Sequence, residues 1–346
     1  MAVSVFMAHV DQSALPKIFR GFGGSNAVEI FFVISGFYIA LILDGHYSSK
    51  LDFYKNRMLR LYPIYYIICI LVLIKAVLFP SIWQSLFSYP TKALYLGTVA
   101  NITFLGSDWL MFLQWQNNDL HFGNFNESEF PIWQMLLIPP VWSIGIEISF
   151  YLLAPTICKL KSRTIFFVGI SLLAVRFFGL LFGLNQDPWT YRFFPFELPM
   201  FIIGILLYRI QVKLRNNKKI NLSKIYFISI LFYVSFSYVT SEFDFNRFWQ
   251  LLVLIVFTCF IIMCGENSPR DKKFGELSYP IYLSHLVVIS SYSGLVAFLS
   301  RKYLLIETLG YPKFAIPISL LLTFIFSFLL IQLVKPIERI RDKNRI

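Results

Sequence analysis

The stretch FAIPISLLLTFIFSFLLIQLVK, residues 314–335, carries no charge before its last residue and runs straight into the basic tail PIERIRDKNRI, residues 336–346. About 20 predominantly apolar residues suffice to cross a bilayer core as a helix. Lys and Arg beside such a run mark its cytoplasmic end. The pattern recurs towards the N-terminus, with apolar runs near 277–299, 247–264, 223–241, 197–212, 164–184, 139–158, 60–80 and 26–44. A shorter apolar stretch opens the chain at 1–10, and a mixed one lies at 94–113.

Composition points the same way. Of 346 residues, 57% are hydrophobic and 14% charged, whereas a soluble domain carries roughly 25% charged residues. The reading is an all-α polytopic membrane protein, 1–346 forming a single transmembrane domain. The 18% aromatic content excludes a disordered chain, and four cysteines exclude a disulfide scaffold. Cys69, Cys158, Cys259 and Cys264 lie in or beside apolar runs without metal-ligand spacing, so they read as small buried hydrophobes and no metal is expected. The net charge of +12 comes from loop clusters and not from a basic face, so nucleic acid is not an expected partner. No basic leader with a small-residue cleavage site is visible at the N-terminus, so a cleavable signal peptide is not expected.

Loop charges set the sidedness. Lys50, Lys55, Arg57 and Arg60 in the loop 45–60, the link KLKSR at 159–163, the basic residues of 209–224 and 265–276, and the tail all belong inside. Residues 114–138 contain no Lys or Arg but hold Asp119, Glu127 and Glu129, and belong outside. Parity then keeps 81–138 extracytoplasmic, with 94–113 as a re-entrant or surface-lying segment. Counting the opening stub gives about ten transmembrane helices with both termini cytoplasmic.

Ionisable groups inside apolar spans are costly and so mark candidate sites. His9 lies in VFMAHV, where an interfacial helix-end histidine is an equal alternative. Glu147 lies nine residues into PPVWSIGIEISFYLLAP. A carboxylate there costs about 2.5–3.5 kcal/mol, so a structural role would need a buried partner. Trp142, Ser143 and Glu147 are spaced to share a helix face. Glu29, in NAVEIFFVISGF, reads equally as solvated at the interface. Ser35-Gly36 in mid-span suits close helix packing. In LSYPIYLSHLVV, Tyr282 and His285 are further candidates, His285 reading first as a hydrogen-bonded structural histidine. Arg57 and Arg60, three apart in FYKNRMLRLYP, face one way at the cytoplasmic entrance. They serve either as topology signals or as a fork for the phosphates of a donor such as a coenzyme A thioester.

Taken together, VSVFMAHV, NAVEIFFVISGFYIAL, FYKNRMLRLYPIYY, PPVWSIGIEISFYLLAP and LSYPIYLSHLVV resemble, in order, the segments of the acyltransferase-3 family of bacterial integral-membrane O-acyltransferases. The resemblance implies that His9 matches the catalytic base, Arg57 and Arg60 the pair serving the acyl donor, Glu147 the acid of the WSxxxE segment and His285 the histidine of the SYxIYLxH segment. It implies an O-acetyltransferase of the bacterial inner membrane. Acetyl-CoA would be a co-substrate, with no permanently bound cofactor, and the acceptor a surface or exported polysaccharide or its lipid-linked precursor. Glu147 is then expected to orient the His9 imidazole. The family also places an Arg eleven residues before the first-helix histidine, ahead of Met1 here, so the first helix is expected to be incomplete and its reading frame to continue upstream. Two rival readings are a transporter or flippase for an envelope glycoconjugate, disfavoured by the lack of internal repeats, and a non-catalytic membrane partner in polysaccharide assembly. The sequence leaves open the acceptor sugar and hydroxyl position, the acyl chain, direct transfer versus a histidine-bound acyl intermediate, and the oligomeric state.

Overall fold

Inside a bilayer the backbone has no partner but itself, so apolar runs of this length become helices. The computed structural model describes residues 1–45, 47, 49–79, 89–214, 222–242, 246–264, 269–301, 303 and 307–343. Its helices are α1 (Ala2–Ala8), α2 (Gly24–Leu43), α3 (Lys50–Leu78), α4 (Thr91–Thr103), α5 (Trp142–Ile157), α6 (Ser162–Leu181), the single turn α7 (Trp189–Arg192), α8 (Phe194–Lys213), α9 (Leu222–Glu242), α10 (Arg247–Cys264), α11 (Pro269–Ser300) and α12 (Pro312–Lys343). Among the described residues seven of these, α2, α3, α6, α8, α9, α11 and α12, are long and apolar enough to cross a membrane, and α5 and α10 are shorter apolar helices. This is a multi-pass helical membrane protein.

Several boundaries differ from the sequence reading for identifiable reasons. The expected loop 45–60 is largely helix, because Ser49 caps α3: its Oγ accepts from the Asp52 N–H at 3.1 Å and donates to the Asp52 carboxyl at 2.6 Å. The mixed stretch 94–113 divides into the 13-residue α4, closed by Phe104 at φ 61°, and a 3-10 turn at Trp109–Phe112. At about 1.5 Å per residue α4 falls well short of a bilayer core. Among the described residues the all-α expectation has one exception, a hairpin pairing β1 (Leu113–Gln116) with β2 (Asp119–Phe122), Gln116 opposite Asp119. Asn117 and Asn118 turn it at φ 52° and 64°, the left-handed pair that a two-residue hairpin demands and asparagine tolerates. The opening stretch 1–10 yields only the seven residues of α1, with His9 at its C-cap. Cys69 is buried, Cys158 and Cys259 are half-buried, and all three are free; the side chain of Cys264 lies outside the described residues.

The chain divides into two compact units. One comprises Met1–Phe31 and Gln211–Ile337, the other Phe32–Ile210 and Glu338–Ile346. In the first, Phe6 and Met7 of α1 pack with Ile316 of α12, with Val3, Val10, Leu15, Ile289 and Leu320 around them. Lys17 pairs with Glu242 at 2.7 Å, and Asn26 Nδ2 donates to Gln250 Oε1 at 2.9 Å.

In the second unit α2 and α8 cross at two glycines. A Cβ on Gly36 would lie 2.1 Å from the Phe201 carbonyl oxygen, and one on Gly204 2.0 Å from that of Val33. No side chain fits, so the backbones touch. Phe201 stacks between Phe32 and Phe150, with ring centroids 4.8 and 4.2 Å away. The tyrosines of α3 close the end of α4. Tyr62, Tyr65 and Tyr66 donate to the carbonyls of Thr103, Asn101 and Ile102 at 2.9, 2.9 and 2.6 Å, satisfying last-turn acceptors that a helix leaves unpaired.

Candidate functional site

In the first unit α1 delivers His9 to α11. The His9 N–H bonds the Phe6 carbonyl instead of continuing the helix, which releases the Val5 carbonyl, and His9 Nδ1 lies 2.8 Å from that oxygen. The ring itself is exposed. His285 of α11 is fully buried. Its Nδ1 lies 2.7 Å from the Tyr282 carbonyl oxygen and its Nε2 3.3 Å from His9 Nδ1. The two ring centroids are 5.0 Å apart. Tyr282 packs edge-on against Phe31, 5.8 Å away. The reading of His285 as a hydrogen-bonded buried histidine and its reading as a site residue thus meet in one contact, across 276 positions of sequence.

Glu29 is in this unit too, and interfacial solvation does not describe it. Its side chain is fully buried, and Arg247 Nη2 of α10 reaches its Oε2 at 3.0 Å.

The second unit holds the remaining candidates. Ser35 Oγ of α2 and Tyr151 OH of α5 both donate to Glu147 Oε1, at 2.7 and 2.5 Å. Glu147 Oε2 makes no hydrogen bond among the described residues. Gly36 makes the close helix approach, whereas Ser35 serves the carboxyl. Among the described residues the hydrogen bonds of Glu147 run to two hydroxyls, and those of His9 run to a carbonyl and an imidazole. On the same helix, Trp142 lies under the Arg192 guanidinium at 4.3 Å, and Ser143 Oγ donates to the Pro140 carbonyl at the start of α5.

Arg57 and Arg60 diverge. Arg57 is buried, donates to Asn56 Oδ1 at 3.1 Å and stands over the Phe53 ring, while its Nε has no hydrogen-bond partner among the described residues. Arg60 is exposed. Phe53 also packs against Tyr151, centroids 6.0 Å apart. A buried guanidinium with an open N–H beside an exposed one suits an anion entering from the Arg60 side.

Three further features were not singled out from sequence. Tyr151 follows Glu147 by four residues, so helix spacing alone could have paired them. Arg176 and Glu197 form a buried ion pair at 3.2 Å, and Arg176 also donates to the Phe196 and Thr190 carbonyls; the rule that marked Glu147 applies equally to Arg176. Asp108, just before the hairpin, is buried with Oδ1 unpartnered among the described residues. Desolvation lifts its carboxyl to about 7.

A family model described as "Acyltransferase domain" matches residues 1–334. The chain belongs to the acyltransferase-3 family. This acyltransferase-3 chain is similar to the peptidoglycan O-acetyltransferase OatA of Listeria monocytogenes serovar 1/2a (strain ATCC BAA-679 / EGD-e), 24% identical over 303 residues that cover 78% of this chain and 45% of that one. It is similar to the putative peptidoglycan O-acetyltransferase YrhL of Bacillus subtilis (strain 168), 25% identical over 77% of this chain and 44% of that one. An uncharacterized protein of Aquifex aeolicus (strain VF5) is 28% identical over 43% of this chain and 69% of its own. The chain thus spans less than half the length of the two O-acetyltransferases. No solved structure matches.

Proposed function

We propose that this acyltransferase-3 chain is an O-acetyltransferase of the bacterial inner membrane. It moves acetyl from acetyl-CoA to a hydroxyl of an exported or cell-surface polysaccharide or its lipid-linked precursor, with peptidoglycan, the polymer named for two relatives, the first acceptor to test. The observation that carries the reading is His9, an exposed imidazole whose Nδ1 is held from behind while Nε2 has no hydrogen-bond partner among the described residues. That is how a general base is presented.

In the proposed step His9 Nε2 takes the acceptor hydroxyl proton as the oxygen attacks the thioester carbonyl. The carbonyl–sulfur bond breaks, the acetyl stays on the oxygen, and the imidazolium returns its proton to the departing thiolate. The Arg57 guanidinium, with Arg60 at the entrance, receives the coenzyme A phosphates. Glu147 offers Oε2 to a substrate donor while Ser35 and Tyr151 fix its other oxygen. Ten spans with both termini inside put the basic ends of the helices on the donor side.

The test is acetyl transfer from labelled acetyl-CoA to purified peptidoglycan fragments by protein in liposomes, beside mass spectrometry of envelope polysaccharides from cells with and without the gene. Loss of transfer in His9→Ala, with the variant still folded and membrane-inserted, supports the reading. Full transfer by that variant removes it.

A further inference from the structure

The contacts of the two imidazoles fix where their protons sit. A carbonyl oxygen only accepts hydrogen bonds, and a neutral imidazole carries one N–H and one bare nitrogen. His285 Nδ1, 2.7 Å from the Tyr282 carbonyl oxygen, therefore bears that ring's proton, and His285 Nε2 is bare. His9 Nδ1 faces the Val5 carbonyl oxygen at 2.8 Å and this bare Nε2 at 3.3 Å. Two acceptors converge on one nitrogen, so His9 Nδ1 bears its ring's proton and shares it between them. His9 Nε2 is then the bare nitrogen, and it has no partner among the described residues.

We propose that His285 is a positioning residue for His9: its unprotonated Nε2 holds His9 in the Nδ1–H form and backs the imidazolium formed when Nε2 takes a proton. This rests on the reading of His9 as base and deepens it. The arrangement parallels hydrolytic triads, where a carboxylate fixes the imidazole tautomer and orientation, but here the fixing group is a neutral ring. Neutrality follows from geometry, because a second N–H on His285 would point at the His9 N–H. Once His9 is charged, its bonds to Val5 O and His285 Nε2 become charge-assisted and strengthen, which favours proton uptake at the stage where the transition state needs it. His285 is completely buried, so the acceptor at its Nε2 cannot be replaced by bulk water. The remaining ionisable group close in sequence, Asp11, is turned to Ser13, whose N–H and hydroxyl both reach its Oδ1.

The test combines nitrogen NMR with kinetics on the full chain in lipid. With 15N-labelled histidine, His9 assigned by its loss in His9→Gln and His285 by its loss in His285→Gln, the neutral wild type should show a protonated Nδ1 and a bare Nε2 for both rings. A protonated Nε2 on either assigned ring overturns the proposal, whatever the kinetics of the variants. Kinetically, His285→Leu removes the acceptor and should lower kcat about 10- to 100-fold, the range known for losing the partner that orients a metal-ligating histidine, with KM for acetyl-CoA unchanged. His285→Gln, which can place an oxygen near the lost Nε2, should recover most of kcat. Full kcat in His285→Leu, or equal loss in both variants, overturns the positioning role. Full transfer by His9→Gln would instead remove the base assignment, whatever the NMR shows.

Discussion

Ser35 and Glu147, 112 positions apart in sequence, meet through a 2.7 Å hydrogen bond between α2 and α5, and Tyr151 takes the same carboxyl oxygen one helical turn beyond Glu147. Removing either hydroxyl should cost about 1 kcal/mol of stability. The pair should not be additive, because both act on one atom. A double-mutant cycle of Ser35→Ala and Tyr151→Phe, followed by denaturant unfolding in micelles, should give a non-zero coupling energy. Glu147→Leu should strand both hydroxyls and lower acetyl transfer more than either single change.

The crossing of α2 and α8 leaves no room at Gly36. Gly36→Ala would set a methyl 2.1 Å from the Phe201 carbonyl oxygen, and backbone cannot move aside as a side-chain tip can. A loss of about 1–3 kcal/mol or more is expected, visible as a lower melting temperature. Gly294→Ala, with nothing within 4 Å of the new carbon, is the control and should be neutral or slightly stabilising.

Asp108 makes stability depend on pH. Its folded carboxyl stands at about 7 against an ordinary 3.8 because burial disfavours the charge. The contribution of the protonated form is therefore complete below about pH 4 and is lost as pH rises through about 7. Melting temperature should fall between pH 5 and pH 8 in the wild type. Asp108→Asn should flatten that slope and raise the value at pH 8; an unchanged slope would show that Asp108 does not titrate there.

The two arginines should not be equivalent. Arg57 is buried with an open Nε, whereas Arg60 is exposed. Arg57→Lys removes the fork while keeping the charge, and should raise KM for acetyl-CoA about tenfold or more, equivalent to the ~1.4 kcal/mol that a tenfold change represents. Arg60→Lys should change it less. Equal effects would make the pair a simple positive surface.

Topology is open to a direct measurement. In a background lacking the native cysteines, His121→Cys in the hairpin and Lys161→Cys before α6 are both exposed positions. An impermeant thiol reagent applied to intact spheroplasts should label the first and spare the second. Labelling of both would refute the ten-span arrangement, which puts Lys161 inside, and failure to label His121→Cys would refute the placement of 81–138 outside.

Much of this protein is determined along the chain itself. The apolar runs near 223–241, 247–264 and 314–335 lie inside α9, α10 and α12, because span length and hydrophobicity are local properties and a bilayer demands helices wherever they occur. His9, Arg57, Glu147 and His285 could be singled out for the same reason, since an ionisable group in an apolar run stands out without any knowledge of its neighbours. Partnership is not local. That His9 is backed by His285, that Glu29 is neutralised by Arg247 and not by water, that Glu147 holds two hydroxyls, and that Arg57 is buried while Arg60 is exposed were all decided by which helix faces pack together. Helical periodicity says which residues share a face. Only the tertiary structure says what that face meets, because close packing, as at Gly36 and Gly204, depends on shapes contributed by segments far apart in the chain.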